Sequence, residues 1–338
     1  MKLTETAVRA ARLVAAGQAG VVRYAATRGR AGAEAQLAAG VYPEKGFDPS
    51  APVDWLCAGK PVIAYTALRA TRSARRSCDD DLRPLISAAP RCPGITLREI
   101  LTYRSGLVRG DRDGHVRCVT DPPLSRPQGW DPAVDANYWN AGWELIPALV
   151  QNAADCDFED YLTAQAFGEH LAASGAFLRR GVHDPLKIDN PDIRKVFLPD
   201  DLATSLCGPL AALCRFYRRI LEELESRPGS EATDLTSSNP GPDFFRHGVS
   251  AKLRWSLGFP YLLGAQGFEF SVPSDGFGSQ GAVLALTPRG LQYAWVCVAG
   301  AVPSLGFTFA VAMDKLRPVP DRRYLEVVEA LMRDARQA

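Results

Sequence analysis

The sequence Cys57-Ala58-Gly59-Lys60-Pro61 places a thiol and an amine three positions apart. On a helix, residues at this spacing lie on the same face, so the Lys60 ammonium can approach the Cys57 sulfur. A nearby cation favours the thiolate, which is the nucleophilic form of cysteine. The pair can therefore carry covalent catalysis at a carbonyl group. The alternative interpretation is a buried, unreactive thiol beside a lysine whose aliphatic chain packs on the core.

The residues after this pair predict the element that holds it. Pro61 is tolerated in the first turn of a helix, because no intrahelical bond needs its missing N–H group. Apolar residues from Val62 to Leu68 extend this helix, which we expect to begin near residue 58. Cys57 then lies at the helix N-terminus, where backbone N–H groups and the helix dipole stabilise a thiolate and a developing oxyanion.

Both ends of the chain combine a helix with a β-hairpin. Apolar spacing predicts helices over 4–16 and 321–335, and turn residues predict hairpins over 21–39 and 282–299. Helical patterns separated by proline-rich loops lie between them, over 96–102, 142–152, 158–172 and 207–224. We therefore expect an α/β (α+β) fold, in which an antiparallel sheet is flanked by the N- and C-terminal helices and an all-helical subdomain is inserted.

This pattern predicts two halves of the molecule. Residues 1–75 and 245–338 are expected to form the half that contains the sheet, and residues 76–244 the helical half. A cleft between two such halves is the usual place for a small-molecule site. We therefore expect the active site in that cleft.

The composition excludes several classes of protein. The 338 residues contain 39 Lys and Arg against 38 Asp and Glu, a net charge of +1, and 46% are hydrophobic. This balance predicts no nucleic-acid partner, and no apolar run is long enough to predict a membrane span. Eight dispersed cysteines without zinc or thioredoxin spacing, and no apolar signal-peptide core in the first twenty residues, lead us to expect a cytoplasmic protein with free thiols.

Two other features that can bind metals or nucleotides lack the necessary pattern. His115, His170, His183 and His247 are scattered, and no pair has the spacing of metal ligands. The glycine-rich segment 276–281 lacks the Lys-Ser/Thr ending of a phosphate loop. We therefore expect neither a metal nor a cofactor.

Further motifs follow the Cys57 pair in a fixed order. They are Asp79-Asp80-Asp81-Leu82, then Ile95-Thr96-Leu97-Arg98-Glu99-Ile100-Leu101-Thr102-Tyr103-Arg104-Ser105-Gly106-Leu107, then Tyr138-Trp139-Asn140 and Gly278-Ser279-Gln280-Gly281. In this order the chain resembles the serine β-lactamase and penicillin-binding-protein superfamily over roughly residues 10–310, especially its class C β-lactamase and family VIII esterase branch. The resemblance implies a β-lactamase-like fold and a covalent acyl-enzyme.

The resemblance also implies roles for individual residues. Cys57 corresponds to the serine of the family's Ser-x-x-Lys motif, so it is the expected nucleophile, with Lys60 and Tyr138 transferring protons. Asn140 is expected to hold Lys60 or a substrate amide. The backbone N–H groups of Cys57 and Ala282 are expected to bind the oxyanion.

Two departures from the family argue against routine β-lactam hydrolysis. Cys57 stands where the family has its nucleophilic serine. Ser279, within Ser279-Gln280-Gly281, stands where the family has Lys or His. Ser279 and Gly281 are still expected to line the substrate site, but Ser279 is neutral. We therefore expect a substrate without a carboxylate at that position.

A cysteine nucleophile gives a thioester intermediate, which reacts readily with amines and more slowly with water. The leading hypothesis is an acyltransferase that takes an acyl group from a small-molecule donor and passes it to an amine acceptor, in the biosynthesis of a peptide-like or amide-containing natural product. Two alternatives remain open. One is an esterase or amidase of the same fold, and the other is a non-catalytic binding protein.

Overall fold

A computed structural model describes residues 1–29, 35–46, 48–86, 94–109, 124–126, 128–133, 140–167, 175–178, 195–197, 205–236, 276–318 and 323–337. The helices are α1 Thr4–Ala15, α2 Lys60–Ser73, α3 Leu97–Leu101, α4 Ile146–Ala154, α5 Phe158–Leu162, α6 Leu210–Ser226, α7 Glu231–Thr236 and α8 Arg323–Gln337. The strands are β1 Val22–Arg28, β2 Gln36–Tyr42, β3 Val53–Asp54, β4 Val108–Arg109, β5 Leu124–Ser125, β6 Phe177–Leu178, β7 Lys195–Phe197, β8 Leu206–Gly208, β9 Phe277–Thr287, β10 Gly290–Val302 and β11 Phe307–Pro318. Single turns of 3₁₀ helix span Leu56–Gly59, Arg83–Leu85, Ala141–Leu145 and Pro303–Leu305, and a π-helical turn spans Thr163–Phe167.

A six-stranded antiparallel sheet forms the centre of the fold, in the order β2-β1-β11-β10-β9-β7. The two predicted hairpins are the pairs β1–β2 and β9–β10. In the second hairpin Gly290 has a φ of +94°, a left-handed conformation that glycine adopts without a steric penalty. Strands from both ends of the chain therefore meet in one sheet, which confirms the predicted fold class.

Side chains on the two faces of the sheet alternate, as the pleat of a β-strand requires. On β1, Tyr24 joins a core with α1 and α8, whereas Ala25 joins a larger core that includes α2 and α6. On β9, Val283 belongs to the larger core. Ser279 and Gly281 have the same parity as Val283, so they face the side of the sheet on which α2 lies.

The terminal helices α1 and α8 pack on each other and cover one face of the sheet. A buried carboxylate joins them: Asp334 of α8 accepts hydrogen bonds from the backbone N–H groups of Glu5 and Thr6, at 3.0 and 2.9 Å, and from the Thr6 hydroxyl at 2.6 Å. These N–H groups belong to the first turn of α1, which has no side-chain cap of its own. Asp334 therefore caps α1 from another helix.

The strand β11 lies between β1 and β10, at the middle of the sheet. The hairpin predicted over 282–299 does not include this strand, which carries Phe307 and Phe309. Both side chains are fully buried on β11, against the helices α1 and α8. A strand buried on both faces has a nearly continuous apolar sequence, so alternation alone did not reveal it.

The central part of the chain contains short strands beside its helices. The strands β3, β8 and β6 form a small sheet, and β7 extends the main sheet by pairing with β9 at Leu284–Leu286. The predicted helical insertion therefore also contributes strands. The division into halves at residues 75/76 and 244/245 stays a prediction, and residues 244 and 245 lie outside the described residues.

Candidate active site

Cys57 lies in a sharp turn between a strand and a helix. The strand β3 ends at Asp54, and the 3₁₀ turn Leu56–Gly59 leads directly into α2, which has Pro61 in its first turn. Leu56 has a φ of +50°, a left-handed conformation that costs a non-glycine residue about 1–2 kcal/mol. Buried contacts hold this turn, because Leu56 is only 2% exposed. The turn leaves Cys57 half-exposed at the start of the helix.

Lys60, one turn further along, is completely buried. Its Nζ donates hydrogen bonds to the Tyr103 hydroxyl and to Oδ1 of Asn140, each at 2.6 Å. It also lies 5.0 Å from the ring centroid of Tyr103 and 5.5 Å from that of Trp143. Hydrogen bonds and aromatic rings stabilise a buried ammonium that water cannot reach. The predicted pairing of Lys60 with Asn140 is therefore present.

Sequence reasoning missed Tyr103. It lies inside the motif from Ile95 to Leu107, directly after α3, and its φ of +59° is also left-handed. A capping box between Thr96 and Glu99 begins α3, so this helix has a defined start two turns before Tyr103. A polar aromatic residue in a recognised motif is the signal that would have directed attention to it.

Tyr138, the predicted partner of Lys60 in proton transfer, lies outside the described residues. Its role stays a prediction. Asn140, two positions later, precedes the turn Ala141–Leu145. This turn holds Trp143, whose ring is packed at 5.9 Å from that of Tyr103.

The strand β9 forms the opposite wall of the site, and Gly281 lies directly against the turn that holds Cys57. A Cβ atom at Gly281 would lie 2.4 Å from the Cys57 backbone nitrogen and 2.6 Å from Cβ of Leu56. Real Cβ atoms essentially never approach other atoms below 3.0 Å. Only glycine therefore allows β9 to lie directly against the N–H group of Cys57.

The neighbours of Gly281 differ in what they contact. The Ser279 hydroxyl donates a hydrogen bond to the carbonyl oxygen of Cys57 at 2.8 Å, and Ser279 is 2% exposed. Ala282 has the opposite parity, so its side chain packs with the α1 and α8 core. Its backbone belongs to the stretch of β9 that lies against Cys57. The predicted role of its N–H group in oxyanion binding is compatible with this position and stays a prediction.

Only part of β9 is paired by a described strand on the side away from β10. Among the described strands, β7 is the partner on the side away from β10, and it pairs with Leu284–Leu286 only. The stretch Phe277–Val283 has no described strand partner on that side.

A sequence model of the beta-lactamase family matches residues 9–331, which is nearly the whole chain. The chain belongs to the beta-lactamase family. A comparison with curated protein sequences finds no match. The family assignment agrees with the motif order and with the position of Cys57 and Lys60 at the start of α2.

Solved structures with the beta-lactamase fold match along nearly all of this chain. SurE is 17% identical with a TM-score of 0.62, and the match covers 99% of this chain and 76% of SurE. A D-amino acid amidase from Ochrobactrum anthropi is 13% identical with a TM-score of 0.64, covering 99% of both chains. A mutant of simvastatin synthase from Aspergillus terreus is 15% identical with a TM-score of 0.64, covering 98% of this chain and 95% of that one. At these identities the likeness concerns the fold.

In this beta-lactamase-family chain, Cys57 differs from the other described cysteines. Cys207, Cys214 and Cys297 are buried, and burial raises the pKa of the Cys214 and Cys297 thiols far above the ordinary value. Burial also raises the pKa of Cys78. Cys156 is exposed but lies on a surface turn after α4. Cys57 is the described thiol that combines partial exposure with a lysine three positions away.

The remaining expectations concern metals and membranes. In the parts of the chain that the structure describes, no cluster of three or more His, Cys, Asp or Glu side chains suits a metal ion. All four histidines lie outside the described residues. No described helix is long and apolar enough to cross a membrane.

Proposed function

We propose that this chain is an acyltransferase that forms an acyl-thioester on Cys57 and passes the acyl group to an amine. The observation that carries the proposal is the arrangement around Cys57. The thiol lies half-exposed at a helix start, the Lys60 amine is held one turn away, and Gly281 brings a strand against the Cys57 N–H group. Membership of the beta-lactamase family supports acyl-enzyme chemistry.

In the first step, the Cys57 thiolate attacks the carbonyl carbon of an ester, thioester or amide donor. A C–S bond forms, and the bond from carbon to the leaving group breaks. The leaving group takes a proton from Lys60 or Tyr138, which act as the general acid. The N–H groups of Cys57 and Ala282 stabilise the negative oxygen of the tetrahedral intermediate.

In the second step, an amine attacks the thioester carbon. A C–N bond forms as the C–S bond breaks, which restores the Cys57 thiolate. The amine loses its proton to the base that supplied the first proton. Because amines attack thioesters more readily than water does, a cysteine at this position favours transfer over hydrolysis.

The neutral Ser279 supports a restriction on the acyl donor. Its hydroxyl donates a hydrogen bond to the Cys57 carbonyl oxygen. This position therefore offers a substrate carboxylate neither a positive charge nor a free hydroxyl hydrogen. We expect a donor without a carboxylate there, and we place the enzyme in the biosynthesis of a peptide-like or amide-containing natural product. We place the reaction in the cytoplasm, where a catalytic thiol stays reduced.

Hydrolysis is the second candidate function. Similarity in fold to a D-amino acid amidase favours it, since that enzyme's name denotes cleavage of an amide. The two functions differ only in whether an amine or water attacks the thioester. The fraction of the acyl group that is transferred to an amine, compared with the fraction released by water as free acid, therefore distinguishes the two functions.

The test supplies a p-nitrophenyl ester or an N-acetylcysteamine thioester as donor, with and without a primary amine. Mass spectrometry of the products measures the amide and the free acid. The proposal predicts that the amide dominates and that the rate rises with amine concentration. A rate independent of amine, with free acid as product, assigns a hydrolase.

Two cysteine variants provide the control for this test. Cys57→Ala is expected to lose turnover, whereas Cys156→Ala, which removes an exposed thiol elsewhere, is expected to keep it. Full activity in Cys57→Ala would contradict the nucleophile assignment. No turnover of any donor by the wild-type protein, together with no reaction of Cys57 with iodoacetamide near neutral pH, would indicate a binding protein.

A further inference from the structure

A cavity of about 740 Å³ lies on the side of α6 that faces the β1–β2 hairpin. Four charged residues of α6 line it: Arg215, Arg218, Arg219 and Glu222. Their spacing along the helix places them on one face. Thr27 and Leu37, on the two strands of the hairpin, line the opposite wall, so the cavity has both charged and apolar surface.

Arg218 is the most buried charged residue in this wall, with a side chain that is 7% exposed. Its Nε donates to Glu222 at 2.9 Å, and its Nη1 donates to the carbonyl oxygen of Gly29. Its Nη2 is buried and has no hydrogen-bond partner in the described structure. A buried donor without an acceptor destabilises a protein. An acceptor that enters from the cavity side of Arg218 would satisfy this donor.

The charges around the cavity favour an anion as that acceptor. The lining residues carry the guanidinium groups of Arg215, Arg218 and Arg219 and the amino group of Met1 against the carboxylate of Glu222, which is four positive charges against one negative, a net charge of +3. Arg215 is exposed, so its side chain is free to turn toward a ligand. Guanidinium groups bind carboxylate and phosphate oxygens through paired, charge-assisted hydrogen bonds.

We propose that this cavity is a second ligand site, which binds a small molecule through an oxyanion group, a carboxylate or a phosphate. Arg218 supplies the buried donor, Arg215 supplies the outer charge, and Leu37 offers apolar contact to the rest of the ligand. The guanidinium group of Arg219 is paired with Glu223 and adds only to the positive field of the wall. The proposal does not depend on the chemistry of Cys57. The strand β1 is three strand spacings from β9, about 14 Å, so the two sites are separate.

The test titrates the wild-type protein with inorganic phosphate and with acetate at constant ionic strength, using calorimetry and thermal unfolding. We expect saturable binding and a rise in the unfolding temperature. Tighter binding of phosphate assigns a phosphate ligand, and tighter binding of acetate assigns a carboxylate. No saturable binding of either ion overturns the proposal.

Substitutions test whether the ion binds in this cavity. Arg215→Gln is the main variant, because Arg218 also holds the Gly29 carbonyl and its removal would disturb the fold. Losing one charge-assisted contact is expected to weaken binding about 3- to 10-fold. Arg336→Gln removes an exposed charge on α8, and Cys57→Ala alters the other site; both are expected to leave the affinity unchanged. Equal losses in Arg215→Gln and Arg336→Gln, or loss of binding in Cys57→Ala, overturn the proposal.

Discussion

Replacing Gly281 with alanine tests whether the contact between β9 and Cys57 supports catalysis. The new Cβ would lie 2.4 Å from the Cys57 nitrogen, whereas ordinary contact begins near 3.4 Å. Either β9 or the Cys57 turn must therefore move by about 1 Å, the difference between these two distances. A displacement of this size at a catalytic group lowers rates by about 100-fold, which corresponds to about 2.7 kcal/mol of transition-state stabilisation.

The assay for Gly281→Ala measures acylation by a p-nitrophenyl ester in a single turnover. The release of p-nitrophenol in this step gives the rate. Thermal unfolding of the same samples shows the fraction of folded protein. We expect kcat/KM per folded molecule to fall about 100-fold, because the group that collides is the N–H group that we propose as a donor to the oxyanion.

Gly278→Ala is the matched control on the same strand. Its Cβ would also meet a backbone atom at 2.4 Å, but that atom is the carbonyl oxygen of Ala299 on β10. We expect this variant to lose stability by overpacking and to keep more of its activity per folded molecule. If folded Gly281→Ala acylates within threefold of the wild type, or if Gly278→Ala loses as much activity, the reasoning is refuted.

Three further predictions concern the support of the site and of the fold. Tyr103→Phe removes one of the oxygen acceptors that the described residues offer to the buried Lys60 amine, and we expect a fall in kcat/KM of about 10-fold, measured in the same acylation assay. Asp334→Ala leaves the N–H groups of Glu5 and Thr6 without their cap, and we expect a loss of about 1–3 kcal/mol in the free energy of unfolding, measured by urea denaturation, with an unchanged acylation rate. Burial and a hydrogen bond to Glu223 raise the pKa of Tyr65 to about 12, from an ordinary value of 10.0. The folded state therefore holds the Tyr65 proton where the unfolded state loses it, so stability present below pH 10 falls by up to about 3 kcal/mol between pH 10 and 12.

Each of these predictions has its own control. Tyr103→Leu, which also removes the ring, is expected to be worse than Tyr103→Phe, because the ring packs on Trp143. A large change in the acylation rate of Asp334→Ala would contradict a purely structural role for this carboxylate. Tyr65→Phe should show a smaller loss of stability in alkali than the wild type, and an identical loss would mean that Tyr65 does not contribute.

The sequence predicted the start of α2 because proline in the first turn of a helix is a strong local signal. It also predicted both hairpins, because glycine and proline interrupt runs of strand-forming residues between them. The structure places the α2 start at Lys60, after a 3₁₀ turn that contains Cys57. The left-handed conformation of Leu56 in this turn could not be predicted, because it results from packing and not from residue type.

Contacts between distant parts of the chain explain what the sequence did not predict. The hydrogen bond of Lys60 to Tyr103 joins residues 43 positions apart, and that of Ser279 to the Cys57 carbonyl joins residues 222 positions apart. No local sequence pattern predicts either hydrogen bond. The resemblance identified Ser279 as a departure, but only the structure shows that its hydroxyl donates a hydrogen bond to the backbone carbonyl of Cys57.

The most direct test of the central claim is the location of the acyl group. The protein is incubated with an N-acetylcysteamine thioester, quenched in acid, and measured by intact-protein and peptide mass spectrometry. We predict one acyl adduct on the peptide that contains Cys57, its disappearance on addition of an amine, and no adduct in Cys57→Ala. An adduct on another residue, or one that persists in Cys57→Ala, would show that Cys57 does not carry the acyl group.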